Sequence, residues 1–204
     1  MIIDPQITHG RDVFTIAKGA LDGGANILQL RDKINDKRTV VSTARELRKM
    51  CGESNAILII NDYVDIAVLS DADGVHVGQH DLSLSDARKL LSSNQIIGSS
   101  NALVEEAIES DEQGADYIAI GSIFKTTTKS DTRPAGLTTL REVRNRISSP
   151  IVAIGGITQE RVHSVVQAGA DAICVTGAIG LSADPELATK QLVASISLAG
   201  AKTR

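Results

Sequence analysis

Gln29, Arg31 and Lys33 take alternate positions in the run NILQLRDK, Asn26 to Lys33, whose Ile27, Leu28 and Leu30 have the character of a buried strand. An amide and two cations on one face of an apolar strand suit an anionic ligand. The bland alternative is a polar face left in water, common where a sheet has one open side. Acids follow at comparable places: Asn61-Asp62 after the run AILII, and Asp81 at the end of VGQHD. Two carboxylates with few other acids between them match Mg²⁺, which takes one or two protein carboxylates and fills its shell with water and phosphate oxygens. Singly, either acid reads as a helix N-terminal cap; with Arg31 and Lys33 they make a metal-assisted anion site.

A second anion site is suggested where AIGGIT and VTGAIG end apolar runs, because glycine lets backbone N–H groups approach a phosphate. Gly156, Thr176 and Gly177 are its candidates, against plain turn glycines. Between the two sites runs GSIFKTTTKSDTRPAG, Gly121 to Gly136, without helical or strand period and carrying Lys125, Lys129 and Arg133 among threonines. A loop of this length is usually functional or solvated, and here it is expected to cover the anion sites. His76 and His80 are four apart, but in a strand and turn, so they do not converge as a helical zinc pair would. His76 is expected inside with its partners, and His80, His9 and His163 at the surface.

These residues have to be positioned by the elements that carry them. Apolar runs recur eight times: 2–3, 27–30, 56–60, 74–77, 95–98, 117–121, 151–154 and 172–175. The segments between them have apolar residues three or four apart, as in Val13, Ile16, Ala17, Ala20 and Leu21. Ser83, Thr158 and Asp184-Pro185 mark helix starts, and Gly114 and Gly169 helix ends. Alternation of this kind predicts an α/β parallel sheet. The triplets GAN, DAD, GAD and GAD stand before every second strand and favour a single (β/α)8 TIM barrel over residues 1–204, with a shortened first strand. An open doubly wound sheet is the competing architecture. In the barrel, Gln29, Arg31 and Lys33 line the C-terminal mouth, and so do Asn61, Asp62, Asp81 and Ser99-Ser100-Asn101.

Composition narrows the function. A net charge of −4 without a basic run gives no footprint for nucleic acid. No apolar stretch is long enough for a membrane span, and no basic-then-apolar leader opens the chain. The two cysteines, Cys51 and Cys174, are too few and too isolated for a disulfide framework. The expectation is a cytoplasmic protein acting on phosphorylated small molecules; the sequence leaves a homo-oligomer open.

Taken in order, LQLRDK, NDYVDIA, DGVHVGQHD, IIGSS, IFKTTTK, AIGGIT and VTGAI resemble the thiamine phosphate synthase family over essentially the whole chain. The resemblance implies a transferase that joins an aminopyrimidine methyl pyrophosphate to a thiazole phosphate, with loss of pyrophosphate. It implies that Gln29, Leu30, Arg31, Asp32 and Lys33, with Asn61, Ser99 and Lys129, hold the pyrimidine substrate. Arg31, Lys33 and Lys129 would act on the leaving group, and Asp62 and Asp81 would ligate Mg²⁺. Thr126, Thr127, Thr128, Gly156, Thr176 and Gly177 would receive the thiazole phosphate. Ser122 and Lys125 stand where the family commonly has proline, His80 where it has an acid, and Thr176-Gly177 replaces a serine-bearing segment. The alternatives are a thiazole tautomerase or regulator branch, a non-catalytic binder of thiamine precursors, and an epimerase or decarboxylase on the same barrel. The charged residues retained here favour the synthase.

Overall fold

The computed structural model describes residues 1–126 and 133–201. Eight parallel strands follow one another in chain order around the sheet. They are β1 (Ile2–Ile3), β2 (Ile27–Leu30), β3 (Ile57–Asn61), β4 (Gly74–Val77), β5 (Ile96–Asn101), β6 (Tyr117–Gly121), β7 (Ile151–Ile154) and β8 (Ala172–Cys174). A doubly wound sheet would reverse its strand order; this one does not. The ring closes through Ile2 N–H, which donates to the Val175 carbonyl at 2.9 Å. The first strand is indeed short, two residues held between β2 and that closing bond.

The helices between strands are α1 (Val13–Asp22), α2 (Lys37–Glu53), α3 (Val64–Leu69), α4 (Leu84–Leu90), α5 (Val104–Glu112), α6 (Gly136–Arg144) and α7 (Val162–Gln167). After β8 come a single turn, α8 (Gly177–Gly180), and the long α9 (Pro185–Ala201). Two of the three expected caps form: Ser83 Oγ accepts from Asp86 N–H at 3.1 Å, and Asp184 from Leu187 N–H at 2.9 Å, whereas Thr158 precedes a single 3-10 turn without a side-chain cap bond. Strand parity sorts the apolar side chains into two layers. Leu28, Leu30, Leu58, Ile60, Ile118 and Ile120 point outward and are buried against the helices. Ile59 and Ala119 are buried inside the ring, where Gln29 and His76 join them.

The recurring Asp before every second strand has a physical cause. Asp73 accepts the N–H of Leu58 at 2.7 Å, Asp116 that of Ile97 at 2.7 Å, and Asp171 that of Ile151 at 2.8 Å. Each therefore satisfies the first free donor of the preceding strand. Each also meets an arginine from the helix one unit back: Arg48 at 3.1 Å, Arg88 at 2.7 Å and Arg144 at 2.8 Å. These brackets sit at the N-terminal face, which in such barrels serves stability. Asp116→Ala strands the buried Ile97 N–H and should lower the unfolding free energy by about 1–3 kcal/mol. Asp116→Asn keeps an acceptor oxygen and should lose less; equal losses in urea unfolding would remove this bond from the explanation.

Candidate active site at the mouth of the barrel

The C-terminal ends of the strands enclose a cavity of about 900 Å³. Arg31, Asn61, Asp62 and Asp81 line the β2–β4 side, and Gly156, Thr176 and Gly177 the β7–β8 side. Both anion sites expected from the sequence therefore open into one space. Its chemistry is set by how each group is held.

Asp62 has φ +62°, a left-handed backbone that Asp tolerates better than most residues. Its N–H donates to the His76 carbonyl at 2.7 Å, and Tyr63 N–H folds back to Asn61 at 2.7 Å. This sharp corner at the end of β3 brings the Asp62 carboxylate to Lys33 Nζ at 2.5 Å. Lys33 Nζ also lies 4.6 Å from the centre of the Tyr63 ring. Partial burial opposes the charge on Lys33, but Asp62 outweighs it and holds the amine above its ordinary range. Asp81 accepts Gly78 N–H at 2.7 Å, which fixes the turn after β4. Partial burial first, and its hydrogen-bonding contact with Asp62 second, push the Asp81 carboxyl above its usual range. Two carboxylates in contact repel unless a proton or a cation lies between them. All-oxygen donors at one rim fit a hard divalent ion, and Asp62 and Asp81 are the residues able to hold it.

Arg31 is anchored to Asp4, whose buried carboxylate accepts Arg31 Nη1 at 2.6 Å and Gln6 N–H at 3.0 Å. Asp4 is a site residue that the sequence did not reveal. Leu30, Asp32 and Ser99 do not line the cavity. The Leu30 side chain points outward into the layer under the helices. Asp32 is buried and folds its own loop, accepting Ile34 N–H at 3.2 Å, Asn35 N–H at 3.0 Å and Asn35 Nδ2 at 2.8 Å. Ser99 also points outward, with its Oγ 2.9 Å from Asn101 Nδ2. Strand β5 runs to Asn101 rather than stopping at Gly98, so parity places Ser100 on the cavity wall instead. Gln29 lies inside the ring below that wall. Thr126 lines the cavity, whereas Thr127, Thr128 and Lys129 lie outside the described residues. His80 is exposed but lines the cavity as well.

On the β7–β8 side, Gly155 and Gly156 have φ +100° and +64°. Their backbone is zipped to the segment after β6: Ile123 N–H donates to Ile154 at 2.9 Å and Phe124 N–H to Gly155 at 3.0 Å. Arg161 donates to the Gly156 carbonyl at 2.6 Å while its guanidinium sits 4.6 Å over the Phe124 ring. Thr176 opens α8, and Arg11 holds the far end of that turn through the carbonyls of Gly180 at 3.0 Å and Ser182 at 2.6 Å. Ser122 N–H donates to the Arg133 carbonyl at 3.0 Å, a bond that proline at this position could not make. Arg133 in turn forks onto Glu106 at 2.5 and 3.0 Å.

A parallel barrel that gathers opposed charges at its C-terminal mouth, facing the glycine-bent end of β7 and the short turn after β8, is of the phosphate-binding (β/α)8 enzyme class. The sequence profile described as TMP-TENI, thiamine monophosphate synthase, matches residues 1–179. The thiamine-phosphate synthase of Shouchella clausii is 44% identical over 188 residues, covering 92% of this chain and 90% of that protein. That of Chloroflexus aurantiacus is 41% identical over 199 residues, 97% of this chain and 92% of the relative. Among solved structures, thiamine phosphate pyrophosphorylase from Pyrococcus furiosus superposes with a TM-score of 0.90 at 33% identity, covering 97% of this chain and 95% of that one. Orotidine 5'-phosphate decarboxylase from Pyrococcus horikoshii, at TM-score 0.69 and 18% identity, shares the fold alone. The chain belongs to the thiamine monophosphate synthase family, and its activity is that of a thiamine-phosphate synthase, a transferase. No helix among the described residues is long and apolar enough to cross a membrane.

Proposed function

We propose that the chain joins an aminopyrimidine methyl pyrophosphate to a thiazole phosphate with the help of Mg²⁺, releasing pyrophosphate. The observation that carries this reading is the contact of Asp62 with Asp81 and Lys33 in the cavity that Gly156 and Thr176 also line. The difficult step is departure of pyrophosphate from the methylene carbon. Arg31, fixed by Asp4, and Lys33, fixed by Asp62, offer positive charge where negative charge develops, at no cost of reorganisation. A magnesium ion held by Asp62 and Asp81 would add Lewis-acid charge at the same oxygens. Ser100, rather than Ser99, donates to the pyrophosphate from the wall, and Asn61 completes that side. As the carbon–oxygen bond breaks, the electron-rich pyrimidine ring carries the positive charge, and the thiazole nitrogen closes on that carbon to form the new bond. Gly156, Thr176 and Gly177, with Thr126, hold the thiazole phosphate so that this nitrogen is already placed. No protein base is needed, since the nucleophilic nitrogen carries no proton.

The test is incubation of the purified protein with both substrates, following thiamine phosphate and pyrophosphate by chromatography. Both should appear in equal amounts, only with both substrates present. EDTA should stop the reaction and Mg²⁺ restore it. Tight binding of both compounds without product would instead identify a non-catalytic binder and overturn the proposal.

A further inference from the structure

Below the mouth lies a row of polar side chains of which the mechanism above uses only Ser100 directly. His76 on β4 is 7% exposed, and both ring nitrogens are engaged: Nδ1 is 2.9 Å from the Tyr117 hydroxyl and Nε2 is 2.8 Å from Ser100 Oγ. Tyr117, the first residue of β6, stacks on the imidazole with centroids 5.5 Å apart and planes inclined by 25°. The ring fills space that Gly98 leaves, where a Cβ would come within 2.0 Å of it. Gln29 hydrogen-bonds the phenol from β2. Of these four side chains, Ser100 alone lines the cavity. Strands β2, β6, β4 and β5 thus supply one continuous chain of hydrogen bonds that ends at the site.

Such a chain has a direction, and the direction decides what Ser100 can offer. Burial raises the Tyr117 hydroxyl far above its ordinary range, so the phenol always has one proton to give. If that proton goes to Nδ1, the imidazole carries its own on Nε2 and donates it to Ser100 Oγ. The Ser100 proton is then left for the cavity. In the other tautomer Nδ1–H donates to Tyr117, Ser100 spends its proton on Nε2, and only its lone pairs face the cavity. Those would repel an anionic oxygen. The choice falls to Gln29 at the far end: with its amide N–H turned to the phenol oxygen, the phenol proton is left for His76.

We propose that His76 and Tyr117 are positioning residues, which keep the imidazole in its Nε2–H tautomer so that Ser100 presents its hydroxyl proton to the diphosphate of the pyrimidine substrate. The proposal rests on the pyrophosphate reading of the β2–β5 side of the mouth. Its first test needs no variant. In ¹⁵N-labelled protein with magnesium pyrophosphate, long-range ¹H–¹⁵N spectra should show His76 protonated at Nε2 and bare at Nδ1; the opposite tautomer overturns the proposal.

The second test is kinetic. Tyr117→Phe keeps the stacked ring and removes only the hydroxyl. It and Ser100→Ala should each lower kcat/KM for the pyrimidine substrate roughly tenfold, the order of one hydrogen bond to a charged group. The KM for thiazole phosphate should not move. Because Tyr117 acts through Ser100, the double variant should be no slower than Ser100→Ala alone; multiplied losses overturn the relay. His76→Gln can still donate to Ser100 and should recover much of what His76→Leu loses. Should the wild-type protein make no thiamine phosphate, the proposed function fails. The tautomer, and the weakening of magnesium pyrophosphate binding by Tyr117→Phe in calorimetry, would still report on the relay.

Discussion

Replacing Asp81 by asparagine is expected to give a protein that melts higher in the absence of metal yet turns over about a thousandfold more slowly, the loss typical of a removed charge-stabilising group. The new amide would keep an oxygen to accept Gly78 N–H, so the turn after β4 survives. What disappears is one of two carboxylates in contact. Partial burial and then Asp62 raise the Asp81 carboxyl in the folded state, so folding favours its protonated form. A raised acid stabilises the fold below its unfolded value near 3.8 and loses that contribution as pH climbs through the folded value. At neutral pH the wild-type chain therefore bears a strain that the amide lacks. With EDTA at pH 7.5 the variant should melt about 1–3 °C above wild type. The gap should shrink as pH falls toward 4 and the wild-type carboxyl takes up its proton. Mg²⁺ should raise the wild-type melting temperature and leave the variant's unchanged. Unaltered turnover in the variant would remove the carboxylate pair from the mechanism.

How far the sequence reveals this site depends on whether the signal is local. The eight apolar runs and the helical spacing between them are local, and they reproduce the barrel strand by strand. The alternation of Gln29, Arg31 and Lys33 is local too; Arg31 reaches the cavity wall and Lys33 reaches Asp62. The same parity rule already separates Leu30 and Asp32 from that face, and the structure enforces it. The resemblance names Ser99 within a rim segment, Ser99-Ser100-Asn101, whose members the apolar run ending at Gly98 does not sort into inner and outer faces. The strand continues through Ser100 and Asn101 because its inner face borders a wet mouth, so polar residues are at home there. A strand end three residues further along decides which serine faces the cavity. Asp4 is hidden for a different reason: Asp-Pro after a short strand reads as a turn, while its partner Arg31 is 27 residues away and is brought to it only by the parallel pairing of β1 with β2. His76 can be read as an interior histidine, but its partners come from β5 and β6, and no spacing along β4 announces them.

The other large effect is expected at Gly156. Its φ of +64° costs an alanine about 1–2 kcal/mol on conformational grounds. A Cβ there would also lie 2.6 Å from the Lys125 carbonyl oxygen and 2.9 Å from both Cβ and the carbonyl oxygen of Phe124. Two of these three neighbours are backbone atoms, which cannot swing aside as the tip of a side chain can. Relief requires the end of β7 and the Phe124–Lys125 segment to part, against the bonds from Ile123 N–H and Phe124 N–H that join them. Arg161 holds the same Gly156 carbonyl, so its place over Phe124 would shift as well. Gly156→Ala should therefore raise the KM for thiazole phosphate by at least about thirtyfold, equivalent to roughly 2 kcal/mol, and leave the KM for the pyrimidine substrate within about twofold of wild type. Gly114 supplies the control: its φ is +82°, nothing lies within 4 Å of its added Cβ, and it sits at a helix end on the opposite face of the barrel. Gly114→Ala should cost about 1–2 kcal/mol of stability in urea with both KM values intact. If the two variants lose stability alike and neither changes KM, the packing of β7 against the segment after β6 does not shape the phosphate pocket. A rise confined to Gly156→Ala would tie that pocket to a backbone contact rather than to any side chain.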